Sequence, residues 1–154
     1  MKALLLGLGM ISSMLITGCA TGTFANGSRP ETTNEDIAAL FDRWNRSLQT
    51  GDPEKVVANY AEESILLPTA SNKPRLTPEE KADYFEHFLQ DRPSGEIILR
   101  RIDIDGNMAV DSGLYTFRFS KTEAEIKARY SFTYRWDGNQ WLIISHHSSA
   151  MPEN

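Results

Sequence analysis

The stretch GEIILRRIDIDGNMAVDSGLYTFRFSKTEAEIKARYSFTYRWDGNQWLIISHHSS, residues 95–149, decides the fold. It is rich in β-branched and aromatic residues, and short polar segments interrupt it at 105–107, 120–125 and 137–140. Asp-Gly pairs between apolar runs are typical of hairpin turns. The stretch therefore predicts four antiparallel strands, at about 96–104, 108–119, 126–136 and 140–149.

The segment before these strands has helical periodicity. A first helix has apolar residues at helical spacing and Thr33 as its N-cap. A second begins at Asp52-Pro53, and a third begins at Thr77 with a capping box to Glu80. The predicted apolar faces are Ile37, Leu40, Phe41, Trp44 and Leu48 in the first helix, Val56, Val57 and Tyr60 in the second, and Tyr84, Phe85, Phe88 and Leu89 in the third.

Helices followed by long antiparallel strands indicate an α+β domain. We expect three N-terminal helices to pack on a curved, mainly antiparallel sheet of four long strands plus a short one at 64–68. Such a sheet curls around a helix and leaves a conical cavity open at one end. The folded domain is predicted to span 33–152.

The N-terminal residues read as an export signal. Lys2 precedes an apolar run, and small residues follow up to Cys19, the sole cysteine. This order is typical of a secretory signal peptide, and its junction resembles a bacterial lipobox. We predict a signal peptide at 1–18 and a lipidated Cys19 followed by a flexible tether at 19–32. The protein would then be anchored to the outer membrane, facing the periplasm.

Composition excludes several classes of partner and cofactor. The formal net charge is −5, and no basic run or basic-aromatic stripe is present, so nucleic-acid binding is not expected. The sequence has no Gly-rich phosphate loop or nucleotide fingerprint, and its three histidines form no ligand set with spacing suited to zinc. No cofactor and no metal are predicted.

The order of predicted elements resembles the nuclear transport factor 2-like superfamily, which includes the SnoaL-like proteins and has a cystatin-like cone. The segment ARYSFTYRWDGNQWLIISHHSSAMP, residues 128–152, is similar to a bacterial branch related to the association domain of calcium/calmodulin-dependent protein kinase II. The resemblance covers about 33–152. It implies a domain that forms oligomers through its sheet and has an arginine-containing pocket for small carboxylates. The chain has no kinase domain, so no kinase activity is expected.

The two adjacent histidines are expected to point to opposite faces of the last strand, because side chains alternate along a strand. His147 shares a face with Trp141 and Ile143, so we predict that it lines the cavity as a general base or a hydrogen-bond donor. A core histidine bonded to a carbonyl is the alternative. His146 is predicted on the outer face or in an interface.

Other candidate site residues come from the strands and helices. Arg129 and Ser131 lie on a polar stripe that is either solvated or the pocket wall, and the resemblance favours the pocket because Arg129 matches the family arginine. Asp111 shares a face with aromatic residues and is either solvated or catalytic. Trp44 and Tyr60 are candidates for the roof of the pocket.

These observations support two functional hypotheses. The first is a lipid-anchored binding and association domain that takes a small anionic or aromatic ligand and forms a homodimer or higher homo-oligomer. The second is a small-molecule isomerase, dehydratase or cyclase, or an oxidoreductase as some bacterial relatives are labelled. It would use His147 and Asp111 as an acid–base pair, which requires the two side chains to meet in one cavity.

Overall fold

The computed structural model describes residues 31–69 and 71–152. The predicted signal peptide, Cys19 and nearly all of the tether lie outside the described residues. Within the described part of the chain, no helix is both long and apolar enough to cross a membrane.

The elements confirm an α+β fold with one sheet. In chain order they are α1 (Asn34–Leu48), α2 (Pro53–Val57), β1 (Tyr60–Leu67), α3 (Pro78–Phe88), a 3-10 turn (Leu89–Asp91), β2 (Pro93–Asp105), β3 (Met108–Phe119), β4 (Ala124–Trp136) and β5 (Trp141–Ala150). The sheet has the strand order β1-β5-β4-β3-β2. It is mixed, because β1 runs parallel to β5 while the other neighbours are antiparallel.

The helices differ from the predicted block of three at the N-terminus. The strand β1 separates α2 from α3, and α2 has only five residues. Tyr60, predicted on the apolar face of the second helix, is the first residue of β1. The α2 helix ends early because the Ala58 and Asn59 backbone amides close its last turn, and the chain then pairs with β5.

The predicted N-caps of α1 and α3 are confirmed. The Thr33 hydroxyl accepts a hydrogen bond from the Asp36 amide, and the Asp36 carboxylate accepts one from the Thr33 amide. Thr77 and Glu80 form the same reciprocal pair at α3, with Pro78 in the first turn. These contacts satisfy amides that have no partner within the helix.

The core lies between α1 and the concave face of the sheet. Trp44 packs edge-on against Phe132 of β4, with 5.4 Å between ring centroids, and against Phe117 of β3 at 6.1 Å. Phe41 contacts Phe132 at 6.1 Å. All of these rings are buried. The aromatic stripe of β4, which consists of Tyr130, Phe132 and Tyr134, is therefore buried on the face of the sheet that packs against a helix of the same chain.

A β-bulge interrupts the pairing of β5 with β4. Thr133 of β4 pairs with Ser145 of β5. The next residue of β4, Tyr134, pairs with Ile143, so Ile144 is left without a partner. An extra residue of this kind reverses the alternation of every side chain beyond it.

The pairing of β2 with β3 contains a second bulge. Ile97 pairs with Tyr115 and Leu99 pairs with Leu114, so Ile98 is left without a partner in β3. Gly113 of β3 lies beside this bulge. A Cβ atom at Gly113 would lie 1.9 Å from the Leu99 carbonyl oxygen, which is a backbone atom that cannot swing aside. Only glycine fits at this point of close approach.

Gly113→Ala is therefore expected to destabilise the fold by about 2–3 kcal/mol, the upper range for overpacking. The measurement is urea unfolding followed by tryptophan fluorescence. Ser112→Ala, in the same strand, is the matched control and should stay within about 0.5 kcal/mol of the wild type. An unchanged midpoint for Gly113→Ala would contradict the close contact with β2.

Candidate functional site

A small cavity of about 60 Å³ lies between the helices and the sheet. Aromatic side chains of α1, α3 and β3 make up half of its lining residues, and His146 and Ser148 contribute polar groups from β5. We call this space the inner cavity. A water molecule needs about 10–15 Å³ of such volume and a cavity of about 150 Å³ holds benzene, so the inner cavity by itself has room for a few waters.

A wider depression of about 450 Å³ adjoins the inner cavity and shares four wall residues with it. The shared residues are Tyr84, Phe88, Phe119 and Ile126. We call this depression the vestibule. Its wall includes Arg75, which forms an ion pair with Asp83. The vestibule therefore lies directly against the inner cavity.

His146 contributes an imidazole ring to the wall of the inner cavity. Its ring stacks on Phe132 with 4.0 Å between centroids and meets the edge of Trp44 at 5.3 Å. The Nδ1 atom is 2.8 Å from the Tyr60 hydroxyl oxygen, while Nε2 has no hydrogen-bond partner. Burial lowers the pKa of His146 to about 3, and the neighbouring His147 lowers it further in the same direction. The imidazole is therefore neutral at pH 7.

Three hydroxyl groups form a chain beside His146. The Tyr115 hydroxyl donates to Ser148 Oγ at 2.5 Å, and Ser148 Oγ in turn bonds to Thr69 Oγ1. Ser148 is 8% exposed, and Thr69 lies at the surface. This chain leads from the core to the rim and fixes the Tyr115 ring, whose pKa burial raises.

The wall of the inner cavity, as far as the described residues define it, contains no carboxylate, lysine or arginine. An apolar wall with a few polar groups is the usual composition of a small-molecule site. No three His, Cys, Asp or Glu side chains within residues 31–69 and 71–152 come together as a metal site requires.

Asp111 belongs to a separate polar cluster on the same face of the sheet. Its carboxylate is fully buried, accepts a hydrogen bond from Tyr130 at 2.8 Å and forms an ion pair with Arg100 at 3.1 Å. Burial raises the pKa of Asp111, and the hydrogen bond from Tyr130 and the charge of Arg100 oppose that rise. Asp111 does not line the inner cavity.

The predicted acid–base pair is wrong, because His147 and Asp111 lie on opposite faces of the sheet. Asp111 pairs with Phe132, which pairs with His146, so these three residues share the concave face. His147 is exposed on the outer face. The bulge at Ile144 is the physical cause: alternation from Trp141 alone would have turned His147 inward and His146 outward.

The predicted pocket roles of Arg129 and Ser131 are also not supported by their positions. Both lie on the outer face, opposite to the buried Tyr130 and Phe132. Arg129 is exposed and donates a hydrogen bond to the Ala150 carbonyl oxygen, at 3.4 Å. The aromatic stripe of β4 occupies the concave face because it alone offers enough apolar surface to cover α1.

Of the other predicted residues, Trp44 lines the inner cavity, and Tyr60 stands behind it as the hydrogen-bond partner of His146. The sequence reasoning missed His146 and Ser148 as inward-facing residues. One signal was present: Leu142, Ile143 and Ile144 are three consecutive apolar residues, which a strictly alternating half-buried strand does not contain.

Comparison with known proteins identifies the family. Residues 33–152 match the family model described as the calcium/calmodulin dependent protein kinase II association domain. No protein of curated function matches the chain. A Xanthomonas campestris structure named for the same association domain is 46% identical, with a TM-score of 0.74. The match covers 81% of this chain and 93% of the Xanthomonas chain.

Two further solved structures share the fold at low identity. An NTF2-like protein of unknown function from Pseudomonas putida is 20% identical, with a TM-score of 0.68, over 77% of this chain and 87% of its own. A Streptomyces avermitilis protein of the NTF2-like family, named as a candidate dehydratase, is 10% identical, with a TM-score of 0.69. The match covers 77% of this chain and 96% of the Streptomyces chain. The family match over most of the chain and the Xanthomonas structure show that this protein belongs to the calcium/calmodulin dependent protein kinase II association domain family, on an NTF2-like fold.

Proposed function

We propose that this protein is a binding domain for a small, uncharged, aromatic molecule that occupies the inner cavity together with the adjoining vestibule. The observation that carries the proposal is the composition of the cavity: aromatic walls enclose about 60 Å³ and contain the neutral His146 and the Ser148 hydroxyl. Aromatic walls favour a flat apolar ligand, and a few fixed polar groups orient it.

An anionic ligand is less well supported for the inner cavity. The nearest feature of that kind is Arg75 in the vestibule, and its charge is already matched by Asp83. Moving a carboxylate out of water without a cation to meet it is costly. We therefore favour an aromatic ligand over an anionic one, a choice that the sequence left open.

The enzymatic alternative rests on fold similarity. The Streptomyces structure named as a candidate dehydratase shares the fold at 10% identity, and fold alone does not select a reaction. An acid–base mechanism needs a proton acceptor that works near neutral pH. His146, with its pKa lowered to about 3, is a weak base, and its cavity contains no carboxylate among the described residues.

Self-association through the outer face of the sheet is the second part of the proposal. Ile98 and Leu99 are each 60% exposed there, and Leu114 is half-buried beside them. Charges of both signs surround this patch, including Glu96, Arg118 and Lys127. A self-complementary surface of this kind fits a symmetric homodimer.

Attachment to the outer membrane through a lipidated Cys19 is the third part of the proposal. Cys19 follows an apolar run and small residues, and acyl chains on such a cysteine contribute about 0.8 kcal/mol per buried methylene. The periplasm is the compartment that this arrangement implies. The proposal rests on the sequence, since Cys19 lies outside the described residues.

Blocking the inner cavity is expected to abolish ligand binding. Ser148→Leu places extra methyl groups in the cavity and should weaken binding of a neutral ring such as indole at least about tenfold. Calorimetric titration measures the effect. Ser149→Leu, the next residue on the opposite face, is the matched control and should bind like the wild type. Equal binding by both variants would place the ligand elsewhere.

A charge on the outer apolar patch is expected to dissociate the homodimer. Leu99→Arg buries an unpaired cation in the proposed interface, so light scattering should report the mass of a monomer. Leu76→Arg is the control, because Leu76 is 56% exposed but lies on the loop before α3. A monomeric wild type would rule out this mode of assembly.

Replacing Cys19 is expected to release the protein from the membrane. Cys19→Ser removes the thiol that would carry the lipid, so the protein should move to the soluble fraction or keep its signal peptide. Ser28→Ala in the tether is the control and should remain attached. Cell fractionation with mass spectrometry of the N-terminal peptide makes the measurement, and an unmodified Cys19 in the wild type would contradict the proposal.

A further inference from the structure

The strand β2 lies at the edge of the sheet, so one side of its backbone has no neighbouring strand. It is 13 residues long, and none of its residues from Ser94 to Asp105 is buried. An open edge of this length presents unpaired amide and carbonyl groups to other chains. The two ends of the strand show which residues present them.

The turn into β3 sets the direction of the backbone at one end. Asp105 pairs with Met108 across a two-residue turn, and the residues that flank such a turn exchange hydrogen bonds with each other. Hydrogen-bonded and non-hydrogen-bonded pairs alternate along an antiparallel ladder. The amide and carbonyl groups of Ile104, Ile102 and Arg100 therefore point away from β3.

Contacts with α1 give the same direction at the other end of β2. The Gly95 amide donates to the Asn45 side chain and the Gly95 carbonyl accepts from it, both at 2.8 Å, so this backbone also points away from β3. Its partner Phe117 lies an even number of residues along β3 from the partners of the three outward residues, as the alternation requires. Gln49 donates to the Pro93 carbonyl in a similar way. Helix α1 thus covers the edge at 93–95.

The part of the edge from Arg100 to Ile104 is uncovered, and we call it the open edge. Within the part of the chain that the structure describes, no hydrogen bond from another element reaches the outward backbone groups of Arg100, Ile102 or Ile104. Each of these residues offers one donor and one acceptor. The open edge can therefore form a hydrogen-bonded ladder with a further strand.

Side chains of opposite charge lie between the outward residues. Ile102 pairs with the inward-facing Asp111, so its neighbours Arg101 and Asp103 lie on the outer face, where both are exposed and form an ion pair at 2.9 Å. If two copies pair antiparallel with Ile102 opposite Ile102, Arg101 of each copy lies opposite Asp103 of the other. Opposite charges directly across an antiparallel pair stabilise it.

Other symmetric registers bring like charges together. Centring the pairing on any of the three charged residues of the open edge places that residue opposite its own copy. Centring it on Ile104 places Asp103 opposite Asp105. Like charges directly opposite each other are destabilising. Within 100–104, Ile102 is therefore the centre that avoids such a conflict.

We propose that two copies of this protein join their β2 strands antiparallel around Ile102, so that their two sheets become one continuous sheet. This edge interface goes beyond the proposed homodimer, because it uses the backbone of β2 instead of the outer apolar patch, and one copy can take part in both. A single pair of short strands buries little surface, so the edge interface is weaker than the homodimer and forms at high protein concentration.

The mass of the full chain at increasing concentration tests the edge interface. In sedimentation experiments from about 10 µM to about 1 mM, the mass of the wild type is expected to double. Leu114→Arg charges the outer apolar patch without changing β2, and its mass should double from that of a monomer. Failure of the homodimer would change the starting mass and not the doubling. A constant mass in both proteins would overturn the inference.

Charge reversals test the register. Arg101→Asp and Asp103→Arg each place like charges opposite one another at two symmetric positions, so each should weaken edge pairing at least about tenfold. An equimolar mixture of the two variants restores opposite charges at both positions and should associate like the wild type. Lys121→Asp, in the exposed turn between β3 and β4, is the control with the same change in charge as Arg101→Asp, and it should associate normally. A mixture that fails to associate would overturn the inference.

Amide hydrogen exchange identifies the backbone groups that pair. At low concentration the outward amides of Ile102 and Ile104 are expected to exchange quickly, and the amides of Arg101 and Asp103, which point toward β3, to exchange slowly. Raising the concentration should slow the outward amides several-fold and leave the inward ones unchanged. Association through another surface does not produce this alternation. Exchange at Ile102 and Ile104 that is independent of concentration would overturn the inference.

Discussion

Ile144 is one residue more than the pairing of β5 with β4 can accommodate, and the character of the site depends on it. Because side chains alternate along a strand, this one residue turns His146 and Ser148 toward the core and His147 toward solvent. The bulge thus places a neutral imidazole against Phe132 and Trp44. Without it, the inner cavity would contain a different polar residue or none.

Burial of His146 also explains why this side chain adds no charge to the wall of the inner cavity. The imidazole loses its proton because a charged ring between aromatic side chains would be poorly solvated. The charges on this face of the sheet lie outside the cavity wall, in the cluster in which Arg100 and Tyr130 contact the Asp111 carboxylate. The strands of Asp111 and His146 are separated by β4, or about 10 Å at the usual strand spacing. The two clusters are therefore chemically independent.

The secondary structure was largely predictable because its signals are local. The strand ends fall close to the predicted ones, since Asp-Gly turns and the change from helical to alternating periodicity mark them directly. The N-caps at Thr33 and Thr77 were equally direct. Tyr60 was the exception: its position suited the face of a helix, but parallel pairing with β5 drew it into β1. Long-range pairing of this kind leaves no local signal.

The sequence by itself determined the α+β class, the main elements and the family, because periodicity, turns and caps act over a few residues. Only the tertiary structure decided which face of each strand is inside. That choice depends on the bulges at Ile98 and Ile144 and on whether α1 covers the aromatic or the polar stripe of β4. A bulge is stabilised by contacts with the neighbouring strand, such as the close approach of Leu99 to Gly113, so its position is a property of two strands together. The site residues His146 and Ser148 therefore could not be derived from β5 alone.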